Sequence, residues 1–306
     1  MKRLIWLVLA SVLLPAAAKA QHYPMFSQYM FNGLVINPAY TGSRDALSLT
    51  ALYRQQWTGF RGAPRTQTVT AHSPLKNPRN NFGVTFLHDR VGVSTHTMAY
   101  GSYAYRIDLG ERAGRLAFGL QGGLSLLQDR WTEIITDQNG DEVFSANSPT
   151  FVVPRVGFGV YYDHRRWYFG ASVPFLLDYK NSDYTQYVAN SFQYRPYMLT
   201  AGVLIRLNPD FILKPSILVK YLRNSPIQGD FNANLIFKDV FWIGASYRTG
   251  DAMVGMLEYQ INPQFRIGYA FDYTITELRR YHNGSHEFML RYEFGYKVKA
   301  MSPRYF

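Results

Sequence analysis

Apolar residues recurring at every second position are the feature that most limits what this chain can become. In "FRIGYAFDYT", Phe265, Ile267, Tyr269, Phe271 and Tyr273 alternate with Arg266, Gly268, Ala270, Asp272 and Thr274. The beat returns in Phe288, Leu290, Tyr292, Phe294 and Tyr296, set between Glu287, Met289, Arg291, Glu293 and Gly295. It returns again in Leu116, Phe118, Leu120, Leu124 and Leu126, and in Tyr197, Leu199, Ala201, Val203, Ile205 and Leu207. Successive side chains of a strand point to opposite faces. Each stretch is therefore a strand with one apolar face and one small or charged face. Each is about ten residues long, the length a tilted strand needs to cross a bilayer. Soluble sandwich strands average five or six residues and bury their apolar face between sheets. In lipid every backbone group must be paired, so strands cross only as a closed barrel, apolar outside and polar within. We expect an all-β, transmembrane antiparallel barrel with a charged, wet interior.

The pattern predicts fourteen strands, near 45–57, 66–74, 81–88, 95–109, 115–128, 150–163, 166–177, 196–207, 211–222, 230–237, 240–248, 252–261, 264–274 and 285–297. Their connections alternate in length. "KNPRN", "GERAG", "DHRR", "NPD", "KD" and "NPQ" are tight turns. The stretches 58–65, 89–94, 129–149, 178–195, 223–229 and 275–284 are longer, and only 249–251 breaks the rule. Short periplasmic turns and longer outer loops are the plan of an outer-membrane barrel. An even strand count leaves both barrel ends on the short-turn side.

Upstream, Lys2 and Arg3 precede the apolar run 4–14, then Pro15 and the small residues ending Ala18-Lys19-Ala20. This predicts a Sec signal peptide cleaved after Ala20, with an apolar run too short to span a bilayer. The divisions are then 1–20 signal peptide, 21–44 an irregular N-terminal segment, 45–297 the barrel and 298–306 a tail. The chain has no Cys, which excludes disulfides, thiolate metal sites and a lipidated cysteine. Tyr 24 and Phe 21 are high counts, as aromatic girdles require. Removing Lys2, Arg3 and Lys19 from the 32 basic residues leaves 29 against 21 acidic ones, a net +8. These charges are scattered singly through apolar strands. That excludes a nucleic-acid stripe and points to outer-membrane lipid or an acidic partner.

Catalytic motifs are missing: no G-x-S-x-G, no H-E-x-x-H and no phosphate-binding glycine loop. His282 and His286 fall where a loop meets a strand, without a third ligand. Asp137 to Glu142 lacks the glycine a calcium loop needs at its sixth position and is expected to form a ribbon turning at Asn139-Gly140. No cofactor and no enzyme activity are expected.

The block before the first strand is different. "QHYPMFSQYMFNGLVINPAYTG", 21–42, has no period yet is dense in Asn, Pro, Gly, Tyr and Phe. Disordered tails are poor in aromatics, so this segment should have a fixed shape. We expect it to plug the barrel at or in its periplasmic mouth. Gln28, Asn32 and Asn37 would satisfy strand backbones, and Phe26, Tyr29, Phe31 and Tyr40 would wedge against lumen aromatics. Pro38 fixes φ and disfavours helix at Asn37, which sets the chain's direction there. Gly42 and, beyond the segment, Arg54 and Trp57 complete the candidate docking set.

The stretches "SQYMFN", "INPAYTG" and "YRQQWTGFRGAP", with the ending "SHEFMLRYEF…SPRYF", resemble the PorP/SprF family of the Bacteroidetes type IX secretion system. The resemblance spans the whole chain after residue 20 in length and order. It implies a Gram-negative outer-membrane component that supports secretion or surface attachment of large adhesin-type proteins, as in gliding motility. It also implies partners: periplasmic type IX components and secreted surface proteins with a type IX C-terminal sorting domain. It implies no catalytic residues. The alternative is a plugged channel or transporter for small solutes. That would want a contiguous apolar pocket, whereas the lumen-facing residues read as small or charged.

Overall fold

The computed structural model describes residues 24–110, 113–134, 146–176, 195–222 and 225–295. The expected signal peptide, the Asn139-Gly140 ribbon and the 298–306 tail lie outside the described residues. Among the described residues no helix is long and apolar enough to cross a membrane, which says nothing of a barrel.

Fourteen antiparallel strands close into one barrel. They are β1 Leu47–Gln55, β2 Arg65–Pro74, β3 Asn80–Val91, β4 Ser94–Asp108, β5 Arg115–Asp129, β6 Phe151–Asp163 and β7 Trp167–Val173. The second half comprises β8 in two pieces, Tyr197–Val203 and Ile205–Arg206, then β9 Phe211–Tyr221, β10 Gln228–Phe237, β11 Phe241–Arg248, β12 Ala252–Gln260, β13 Phe265–Thr274 and β14 Ser285–Phe294. Each strand pairs with the next. The last returns to the first, Leu47 opposite Phe294 through Gln55 opposite His286, so no strand of the ring is left as an outer edge. The break in β8 faces Pro215, which has no N–H to give the ladder.

The period-two reading of faces holds. Leu120 (56% exposed), Phe86 (50%), Ile243 (60%) and Leu290 (51%) stand outward. Their neighbours Gln121, Thr85, Trp242 and Arg291 are buried inside. His286 faces outward, where its Nδ1 lies 2.8 Å from the Tyr269 hydroxyl. His282 sits in the 275–284 connection beside Trp57. Among the described residues no group of His, Cys, Asp and Glu is placed to hold a metal.

Two expectations about the long-loop end need correction. The 89–94 connection is no long loop: β3 and β4 run on to a two-residue turn at 92–93, with Val91 opposite Ser94 and Gly92 at φ 60, the left-handed conformation tight hairpin turns demand. β3 also runs past the expected 81–88, and β7 is shorter than the expected 166–177. β3 to β6 have 12, 15, 15 and 13 residues, whereas β7 has 7. β7 ends where Val173 pairs with Phe158. Beyond it, among the described residues, the Leu176 N–H continues onto β6, donating to the Val156 carbonyl at 2.7 Å.

Candidate functional site

The lumen contains residues 24–44, shortly before β1. Residues 24–44 form three short 3-10 turns, Tyr29–Phe31, Gly33–Val35 and Pro38–Tyr40, and all but Met25 are buried. The third turn shows how the sequence shapes it. Asn37 is extended at φ −146, its Oδ1 accepts from the Ala39 N–H, and Pro38 takes the first turn position, where a missing N–H costs nothing. The Asn37 amide also donates to the Val160 carbonyl on the wall at 3.0 Å. Gly42 sits at φ 72, and a Cβ there would lie 2.0 Å from Asn81 Oδ1, so both backbone and space require glycine. Its N–H donates to His72 Nδ1 at 3.1 Å.

The leading end is held by a buried ion network. The Glu287 carboxylate accepts from the backbone N–H of Ser27 at 2.8 Å and of Gln28 at 2.7 Å. The Ser27 hydroxyl donates to Asp272 at 2.7 Å. Arg54 bridges both carboxylates, 2.7 Å from Asp272 and 3.1 Å from Glu287. Arg248 reaches Asp272 at 3.1 Å and Asp230 at 3.2 Å, and Lys220 reaches Asp230 at 3.1 Å. The Arg54, Asp272, Glu287 and Arg248 side chains are at most 2% exposed. Isolated charges at such burial are costly, and pairing with full hydrogen bonding is what makes them tolerable. Arg54 is the penultimate residue of β1, Arg248 the last of β11, and Asp272 and Glu287 flank the 275–284 connection. The network therefore lies at the long-loop end.

The trailing end sits at the opposite rim. Asp45 is 2.9 Å from Arg106 and 3.3 Å from Arg115, and Arg115 also holds Asp163 at 2.5 Å. These residues border the short turns. Between the ends, the Tyr29 hydroxyl accepts from Asn232 at 2.5 Å, the Asn32 Oδ1 accepts from Thr70 at 2.9 Å, and the Ile36 carbonyl accepts from Ser172 at 2.5 Å. Arg291 donates to the Phe31 carbonyl. Phe31 meets Trp242 edge-on at 5.2 Å, and Tyr40 meets Tyr161 edge-on at 5.5 Å, the geometry aromatic rings prefer. The wall makes room where the backbones touch: a Cβ on Gly119 would lie 2.2 Å from the Ala39 nitrogen.

The structure thus gathers Phe26, Gln28, Tyr29, Phe31, Asn32, Asn37, Pro38, Tyr40 and Gly42 in the lumen and brings Arg54 to them. Trp57 stays apart, in the 56–64 connection, with its N–H on Ser285 Oγ at 3.1 Å. Gln28 and Asn37 reach wall carbonyls; Asn32 meets a side chain instead. The expected wet interior does not describe the wall around the segment. Its ion pairs are buried, and Tyr100, Tyr161, Tyr168, Trp242, Met198 and Met289 stand inward among the small and charged residues. The expectation set residues 21–44 at the short-turn mouth, whereas 24–44 begin at the long-loop end and finish at the short-turn end. Residues the sequence did not single out include Ser27, Glu287, Arg248 and Asn232. Inward charges on strands were visible; their partners, as much as 260 residues away, were not.

The pattern of the family described as type IX secretion system membrane protein PorP/SprF matches residues 18–292. No curated protein matches the chain. Among solved structures, the chain is similar to the outer membrane protein Omp33 of Acinetobacter baumannii, at 8% identity over 82% of this chain and 100% of that one, TM-score 0.48. It is similar to a Pseudomonas aeruginosa FadL homologue at 12% identity over 92% and 97%, TM-score 0.46. A KdgM porin gives 11% identity over 81% and 99%, TM-score 0.36.

Proposed function

From the premise that the chain belongs to the PorP/SprF family of type IX secretion system membrane proteins, we propose that it is a non-enzymatic outer-membrane scaffold. It supports secretion or surface attachment of large adhesin-type proteins. It is exported by Sec with cleavage after Ala20, its apolar belt meets outer-membrane lipid, and it works with periplasmic type IX components and cargo bearing a type IX sorting domain.

The observation that carries this reading is the filled lumen. A fourteen-stranded ring is wide enough to hold more than its own side chains, and here that space is taken by residues 24–44. Among the described residues, one cavity between the segment and the wall, lined by Tyr29, Asn37, Tyr40, Tyr168 and Lys214 among others, has a volume of about 20 Å³. That is room for a water molecule and far below the 300 Å³ or more of a small-molecule site. A solute channel is therefore the less favoured reading.

Two measurements on one strain test the proposal. Cells lacking the protein should lose surface display of their sorting-domain adhesins and regain it with the intact gene. Purified protein in liposomes should not admit small sugars. Retained display in the deletion strain would overturn the scaffold role, and rapid liposome swelling would restore the channel.

A further inference from the structure

The direction of the lumenal segment decides which compartment meets its leading end. β1 starts at the short-turn rim immediately after residue 46, and Asp45 is tied to Arg106 and Arg115 at that rim. Ser27 and Gln28 are tied to Glu287, and Ser27 to Asp272, beside the 275–284 connection. The segment thus enters at one end of the barrel and leaves at the other. In an outer-membrane barrel the short turns are periplasmic and the longer loops face outward.

We infer that the amino-terminal end of this segment, Pro24 to Gln28, lies at the outer mouth of the barrel, with half-buried Met25 the residue reached from outside the cell. This rests on the membrane orientation used for the proposed function and goes beyond it. A partner that engages this end is an exported, surface-located protein, and a periplasmic component meets the segment only at its trailing residues near Asp45. The trailing end shares its rim with Arg79, Arg106 and Arg115; the leading end shares its rim with the long connections.

The chain has no cysteine, so one introduced thiol is a unique label. Met25 is the only half-buried residue of 24–44 that precedes the Ser27 anchor, and Met25→Cys leaves every hydrogen bond described above in place. A membrane-impermeant maleimide applied to intact cells should label Met25→Cys to the same extent as Thr276→Cys in a long connection. Asn77→Cys, in a short turn, should label only after the outer membrane is opened. An epitope inserted immediately before Pro24 repeats the test with an antibody. Correct behaviour of both controls, with Met25→Cys and the epitope silent on intact cells, would overturn the inference and leave the family reading standing. Reversed controls would overturn the orientation and this inference with it.

Discussion

Replacing Glu287 by Ala should free the leading end of the segment while leaving the ring closed. The carboxylate accepts two backbone N–H bonds and one Arg54 bond, all buried. A buried donor left unsatisfied costs about 1–3 kcal/mol. The two amides therefore cost about 2–6 kcal/mol when the barrel cannot relax, and about 3 kcal/mol when water enters from the nearby mouth. At about 1.4 kcal/mol per tenfold, 3 kcal/mol shifts the opening of 26–31 by roughly 100-fold. Arg54 retains Asp272, so its own loss is partial. Hydrogen exchange in detergent micelles reads this directly. Peptides covering 26–31 should exchange roughly 100-fold faster, whereas β4 and β5, which touch none of the network, should keep their protection. Glu287→Gln keeps one acceptor oxygen and should give a smaller effect. Unchanged protection at 26–31 would refute the argument, and so would an equal loss across all strands, since that is the mark of a destabilised barrel and not of a loosened segment.

Four further outcomes follow from the same geometry. Gly119→Ala places a Cβ 2.2 Å from the Ala39 nitrogen, so it should raise exchange at 38–41 while the protein still shows the heat-shifted gel mobility of a folded barrel. Leu199→Arg puts a charge on the outward face, where Leu199 is 46% exposed, at a cost of about 2–4 kcal/mol near the bilayer midplane, and should lower the folded yield. Arg266→Ala should also be costly, because Arg266 holds buried Glu258 at 3.4 Å and lies over Trp242 at 4.6 Å; a fully tolerated variant would mean the side chain is solvated after all. Deleting residues 24–44 should leave a barrel that inserts and conducts in planar bilayers, and a deletion variant that stays closed would remove the segment's sealing role.

The fold was legible because a membrane imposes a strict rule on each residue. Phe265 to Thr274 must alternate when one face meets lipid, and the pattern survives in the sequence without knowledge of any partner. The break in β8 was not foreseen because Pro215 acts across the ladder, and β7 was read too long because its ladder stops at Val173, just before a proline, Pro174; the alternating residues record neither. The 89–94 turn was misread because Gly92 looks like any loop glycine until its φ is known. The lumenal segment announced itself by composition, and Asn37-Pro38 by local chemistry. The ion network did not: Ser27 is an ordinary serine until Asp272 and Glu287 are folded beside it, and separations of 245 and 260 residues leave no local trace.

The same separations constrain time as well as space. A chain that holds its residues 24–44 inside a ring completed by its first and last strands has two routes to that state. Either the ring seals and an end is then fed through it, or the ring is drawn shut around an end already in place. β14 carries Glu287 and Arg291, which grip the segment, and the same strand pairs with β1 to seal the ring. Sealing the ring and completing the segment's grip therefore both draw on the last strand to be synthesised, although β2, β6, β7, β10 and β13 hold the segment as well. Contacts of such long range form late and slowly, so until that strand arrives the early strands and the segment are an open, half-made object with exposed edges. A chain cut short before Glu287 would lack part of the lock as well as the seam.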